Sequence, residues 1–227
     1  MSHPQLDLTL DQMLTSTRAV RKRLDMDREV PLDVLKECLT IATQAPTGSN
    51  AQSWQFMLIT DPEKKATIGE YYRQAFEVYK TMPMSIHHLN KDTGDDNMTE
   101  SQDRSASSAD YLGENMGKVP AMLIPMIAGR TDGPAQEGVP AIIGQASQMA
   151  SIIPAAWSFM LAARARGIGT AWSTLHLFYE REIAELLGIP YDDFMQVGLI
   201  PIGYTIGTEF KPAYRPPLET VMHVNEW

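Results

Sequence analysis

The chain has 227 residues, 44% of them hydrophobic and 21% charged, with a formal net charge of -9. That length suits one large domain or two small ones, with apolar material for a sizeable core. The acidic balance argues against a nucleic-acid partner, which needs a basic patch, but leaves room for a local basic pocket that takes a small phosphate ligand.

The polar stretch from Met1 to Thr15 lacks the basic-then-apolar order of a signal peptide. Pro31 to Ala45 has the apolar spacing of an amphipathic helix, ended by Pro46 and Gly48. Cys38 is the only cysteine. With Val34, Ile41 and Ala45 on its face it reads as a buried structural thiol. Trp54 to Thr60 is a short apolar strand. Asp61 and Pro62 then cap and open a helix that runs to about Tyr79. Residues 83–106 are polar and acidic, with Asp92, Asp95, Asp96, Glu100 and Asp103, and read as a variable surface excursion with short helical turns. Asp110 to Lys118 reads as helix and Val119 to Ala128 as strand, in spite of Pro120 and Pro125. A Gly/Pro-rich loop follows.

Ile142 to Arg166 is a long helix, apolar nearly all round, with a break or bend expected at Pro154. Such a helix must be buried in the core or at a subunit interface. Its most apolar stretch, Met149 to Ala163, is too short and too interrupted for a membrane span, so a cytoplasmic protein is expected. Thr170 to Leu175 reads as strand, Glu180 to Leu187 as helix and Met195 to Tyr204 as one strand. The tail 205–227 has no helical period. These elements add up to one α+β domain spanning 1–227.

Several chemistries have no sequence support. There is no Rossmann glycine fingerprint, no phosphate-binding P-loop and no Gly-x-Ser-x-Gly elbow. His87 and His88 are adjacent rather than three or four apart, so no metal site is expected. His176 and His223 are isolated and expected to have a local hydrogen bond each. No triad or paired carboxylates stand out, and no side chain is expected to act as a catalytic nucleophile.

Three segments do point to a ligand. Arg18 and Arg21, in Thr17-Arg18-Ala19-Val20-Arg21, would share a face if that turn is helical, and two guanidinium groups suit a phosphate. Ala45-Pro46-Thr47-Gly48-Ser49-Asn50-Ala51-Gln52-Ser53-Trp54 offers backbone N–H groups, amides and hydroxyls to a polar heterocycle. Arg215 brings positive charge near the C-terminus. Read singly, each is as well a surface turn, a connecting loop or a solvated tail.

In this order, together with Gly167-Ile168-Gly169-Thr170-Ala171-Trp172, they resemble the signatures of the nitroreductase family of flavoproteins, from about Leu10 to Trp227. Thr17 stands where the family commonly has Arg, Ala19 where it has Ser, and Ser53 where it has Pro. The resemblance implies an α+β nitroreductase-like fold, with a central, mostly antiparallel sheet flanked by helices, in an intertwined homodimer with 205–227 as a dimer arm. It implies FMN as cofactor, NADH or NADPH as donor, and a small organic acceptor such as a nitroaromatic or quinone. Arg18, Arg21 and Arg215 would hold the phosphate, with Ala19 adding backbone contacts. Pro46, Thr47, Gly48 and Asn50 would reach the flavin from the other subunit. Ile153 and Pro154 would lie near the ring, Ile153 being the better N–H donor to N5, with Gly169 and Thr170 at the ring edge. Trp172 and Tyr71 or Tyr72 are candidates to wall the pocket. Flavin fragmentation, reductive dehalogenation or non-catalytic flavin sequestration on the same scaffold are the alternatives.

Overall fold

The computed structural model describes residues 3–91, 93–133, 138 and 140–227. Asp92 of the acidic segment, and 134–137 and 139 of the Gly/Pro-rich loop, lie outside the described residues. Among those described, the helices are α1 (Leu10–Ser16), α2 (Leu32–Ala42), α3 (Pro62–Lys80), α4 (Asp96–Asn115), α5 (Ala141–Ala165) and α6 (Glu180–Leu187). The strands are β1 (Trp54–Ile59), β2 (Ala121–Ala128), β3 (Ile168–Thr170), β4 (Phe194–Gln196) and β5 (Ile200–Tyr204).

β2 organises the sheet. Its run AMLIPMIA has no polar side chain, as a strand covered on both faces requires. Met122, Ile124 and Met126 pack with Leu112, Met116 and Ile183 on one face. Ala121 and Leu123 pack with Leu35, Phe159 and Met160 on the other. β1 pairs along one edge of β2, β4 and β5 follow each other along the other edge, and β3 joins β5, every pairing antiparallel.

The strand expected over Met195 to Tyr204 is two strands. Val197 N–H donates to Pro125 O at 3.0 Å, but Pro125 has no N–H to return the bond. The ladder breaks there. Leu199 pairs instead with Ser173, and Gly198 lies so close under the Trp172 ring that a Cβ would sit 2.8 Å from it.

α5 is continuous through Pro154. By length and apolarity alone it could cross a membrane, with a mean hydropathy of 1.2 over its best window. In this fold its C-terminal half is core, with Ile152, Ala155, Ala156, Phe159 and Ala163 fully buried. Ile142, Ile143, Ile153 and Trp157 of the same helix are exposed.

Two further expectations change. The second part of the excursion is helix: α4 begins at Asp96, capped by the Asp95 carboxylate on Met98 N–H, and takes in the helix expected from Asp110. α1, not read from the sequence, is opened by a capping box between Thr9 and Gln12.

The end of α5 is tied to α2 by a half-buried cluster. Arg166, with 3% of its side chain exposed, donates to the Glu37 carboxylate at 2.6 Å, and His3 meets the same carboxylate at 2.7 Å. The Arg166 and His3 hydrogen bonds hold the Glu37 pKa at about 2. Its contribution to stability is thus complete above about 4.3, the ordinary glutamate value, and is lost as pH falls towards 2. Glu37→Gln is expected to lower the melting temperature at neutral pH, because Arg166 then stays buried without a counter-charge. The loss should shrink as acid protonates the wild-type carboxylate, which thermal unfolding over an acid series measures.

Candidate functional site

Arg18, Ala19 and Val20 run extended rather than helical, tied to β3 by Val20 N–H donating to Thr170 O at 2.8 Å. Gly169 makes this approach possible, since a Cβ there would sit 2.9 Å from Val20 Cβ. A turn follows, with Leu24 N–H donating to Arg21 O. The helical spacing expected for the two arginines is therefore absent, yet both line one cavity of about 270 Å³. Arg23 joins them, and α4 lays Ser101, Arg104, Ser105 and Ser108 across the opening. Among the described residues, no carboxylate lines this cavity.

The arginines differ in what they are free to do. Arg23 is spent on structure: its guanidinium donates to the carbonyls of Ile206, Gly207 and Glu209. Arg18 donates to Lys211 O at 3.2 Å. Among the described residues, Arg21 has a single side-chain partner, Ser108 Oγ at 3.1 Å. Burial pushes its pKa down, with the neighbouring Arg18 charge adding to the effect. An anion in the cavity would relieve both.

Arg21 also lines a second cavity of about 210 Å³, walled by Tyr72, Phe76, Tyr79 and Trp172 and edged by Ser173 and Thr174. Tyr72 Oη and Ser173 Oγ are 2.9 Å apart. Tyr72 and Trp172 thus both line this cavity, whereas Tyr71 stacks on Tyr179 at 4.9 Å. The segment read as a strand over Thr170 to Leu175 instead ends its strand at Thr170, pairs Ser173 with Leu199, and enters a 3-10 turn, Leu175–Tyr179. That change of direction is what delivers Ser173 and Thr174 to the cavity. They were not singled out from the sequence.

The remaining candidates lie apart from the arginines. Pro46, Thr47, Gly48 and Asn50 sit in a loop against α5, where Gly48 N–H donates to Ser151 Oγ at 3.0 Å. Ser49, Asn50 and Gln52 take φ values of 53°, 52° and 49°. Left-handed backbone at three non-glycine residues is costly, and concentrations of it mark sites with a functional constraint. Ile153 and Pro154 are mid-α5, Ile153 being 46% exposed. An interior helical N–H is committed to the carbonyl four residues back, so Ile153 has no free N–H for the donor role expected of it. Arg215 is exposed, lines neither cavity, and donates to Tyr214 O. Tyr214 itself bonds Asp95 at the start of α4.

Elsewhere, Cys38 is fully buried and burial lifts its pKa to about 11, as befits a structural thiol. Among the described residues no group of His, Cys, Asp and Glu is placed to hold a metal. His87 bonds Asp110 at 2.8 Å, and His223 stacks on Trp227 at 4.3 Å. His176 departs from expectation: it is fully buried with neither ring nitrogen partnered.

The chain is similar to several known proteins. It is 33% identical to an iodotyrosine deiodinase of Haliscomenobacter hydrossis over 69 residues, a match spanning 30% of each chain. It is 23% identical to a 4-nitrobenzoate reductase of Nocardioides sp. over 206 residues, covering 86% of this chain and 79% of that one. A solved structure of a variant FMN and NADPH-dependent nitroreductase from sphigopyxis sp. strain HMH superposes with a TM-score of 0.68 at 20% identity, covering 97% of this chain and 100% of the other. A profile of the nitroreductase family matches residues 14–204. With the antiparallel sheet between helices and the arginine cavity beside an aromatic one, this match settles the assignment: the chain belongs to the nitroreductase family of flavoproteins.

Proposed function

We propose that the protein is an FMN-dependent oxidoreductase that takes electrons from NADH or NADPH and passes them to a small organic acceptor such as a nitroaromatic or a quinone. The observation that carries this reading is the pair of adjoining cavities sharing Arg21. The basic one, with four arginines, three serines and no acid, has the chemistry of a phosphate seat. The aromatic one has the chemistry of a ring pocket. Bound there, FMN would supply two-electron transfer between nicotinamide and acceptor. Arg18 and Arg21 would hold the phosphate, with α4 closing over it. Arg21, common to both cavities, is the cation placed to offset negative charge at the ring end. Tyr72 and Trp172 would flank the ring, and Ser173 and Thr174 offer hydroxyls at its edge.

The reading includes a homodimer. Ile41, Ile142, Ile143, Ile153 and Trp157 form an exposed apolar surface along α5 and the end of α2, beside the strained loop. The tail exposes Leu218, Val221, Met222, Val224 and Trp227. A partner covering both would bring Pro46, Thr47, Gly48 and Asn50 of one chain to the flavin of the other, and Arg215 with the displaced tail. Removing 216–227 is expected to yield monomer that has lost most of its flavin. A truncated chain that sediments as a yellow dimer would contradict the arm.

The kinetic test uses the missing dinucleotide fingerprint. Donor and acceptor would take turns in one pocket, so varying acceptor at several fixed NAD(P)H concentrations should give parallel double-reciprocal lines. Intersecting lines would refute the shared pocket. No NAD(P)H oxidation with any quinone or nitroaromatic would favour flavin sequestration. Halide release from a halogenated phenol would favour the dehalogenating reading, which the local similarity to an iodotyrosine deiodinase supports.

A further inference from the structure

We propose that the cavity between the N-terminal segment, the end of α5 and the start of the tail binds a small organic monoanion, a carboxylate on an apolar body, with Arg164 receiving the carboxylate. The cavity measures about 460 Å³, larger than either flavin-site cavity and within the size range of small-molecule sites. Arg164 forms part of its wall and is only 3% exposed. Its guanidinium makes one long bond, Nη2 to Ser16 Oγ at 3.4 Å, and Nε and Nη1 have no partner. Among the described residues no carboxylate forms an ion pair with it.

Arg166, two residues on and as deeply buried, shows how this fold treats a buried guanidinium when it is structural: Glu37 pairs with it. A buried cation without a counter-charge is costly unless something supplies one. At Arg164 the fold leaves that place to the cavity.

The lining says what kind of anion fits. Leu6, Leu8 and Phe210 provide an apolar wall, and Gln12, Thr15 and Ser16 add polar groups, of which Ser16 bonds the guanidinium. Asp7 and Glu209, both exposed, also border the cavity and disfavour a second negative charge on the ligand, so a carboxylate suits it better than a phosphate ester. The site is separate from the flavin site. The two share only Phe210, whose ring lies between Arg23 at 4.1 Å and Arg164 at 5.0 Å.

The test is calorimetric titration of the flavin-loaded protein with hexanoate, with hexanamide and inorganic phosphate as comparisons. The flavin absorbance spectrum reports occupancy of the other site. Wild type should bind hexanoate without a change in that spectrum, and bind hexanamide and phosphate at least about tenfold more weakly, the scale of one charge-assisted hydrogen bond. Arg164→Gln should lose about tenfold or more in hexanoate affinity while keeping its flavin. Thr15→Trp, at the exposed rim, should block the cavity with Arg164 intact, so a folding defect in the first variant does not decide the matter. Failure of wild type to bind hexanoate, binding unchanged in both variants, or equal binding of hexanamide would overturn the proposal.

Discussion

Arg21→Ala is expected to weaken FMN binding by about 1.5–3 kcal/mol, roughly 10- to 150-fold, the range for a hydrogen bond to a charged group. The argument rests on what Arg21 lacks. It is half-buried and desolvated, with only the Ser108 hydroxyl as side-chain partner, at the junction of the two cavities. Arg21→Lys should recover part of the loss, since it restores charge without the planar fork. Arg23→Ala supplies a contrast. Its guanidinium is bound to three carbonyls of the tail, so its removal should lower thermal stability and loosen 206–210 more than it affects flavin. Titration of apoprotein with FMN, read by quenching of flavin fluorescence, measures all three. An Arg21→Ala protein with wild-type affinity would remove Arg21 from the phosphate seat.

Much of the scaffold was legible because burial leaves a mark on composition. The unbroken apolar run of β2 and the all-round apolarity of α5 can only belong to covered elements, and Asp61-Pro62 is a helix start at the level of single residues. The misses share a physical cause: the deciding partner is remote in sequence. α4 buries only Ala106, Leu112 and Gly113. It is held mainly by polar contacts, Gln102 to Ile86 O, Lys22 to Ser107 and Arg21 to Ser108, so no hydrophobic period announced it. The break between β4 and β5 is set by Pro125 across the sheet and by the Trp172 ring.

The site follows the same pattern. Arg18 and Arg21 are legible because two guanidinium groups three residues apart are a local feature of the sequence. Their shared cavity comes from the tie of Val20 to β3, not from the helical spacing that brought them to notice. The serines facing them were missed although Ser101, Ser105 and Ser108 recur at i, i+4 and i+7, the spacing of one helical face. A polar stripe of that kind is readable once the segment is known to be helix. Ser173 and Thr174 are not legible because the apolar pattern of 170–175 reads as a continuing strand.

His176 leads to the second large effect. Burial alone holds its pKa down to about 3, against an ordinary value near 6.5. The folded protein therefore keeps the ring neutral through a range in which the unfolded chain takes up a proton. For a base with a depressed folded pKa, stability is undiminished above about 6.5 and falls as pH drops towards 3. The loss is about 1.4 kcal/mol per pH unit from this one group, a sizeable share of the roughly 5–15 kcal/mol of a typical domain. His176→Phe is expected to remove that slope. Because neither ring nitrogen has a partner to lose, the substitution should cost little at neutral pH. The window opens above that of Glu37, so denaturant melts at stepped pH between about 6.5 and 4.3 read His176 by itself. The consequence reaches the site, because His176 anchors the 3-10 turn that follows Ser173 and Thr174 on the wall of the aromatic cavity. Acid unfolding, and the flavin release that accompanies it, should thus be shifted to lower pH in His176→Phe. Identical release curves and an unchanged slope would remove His176 from the acid response.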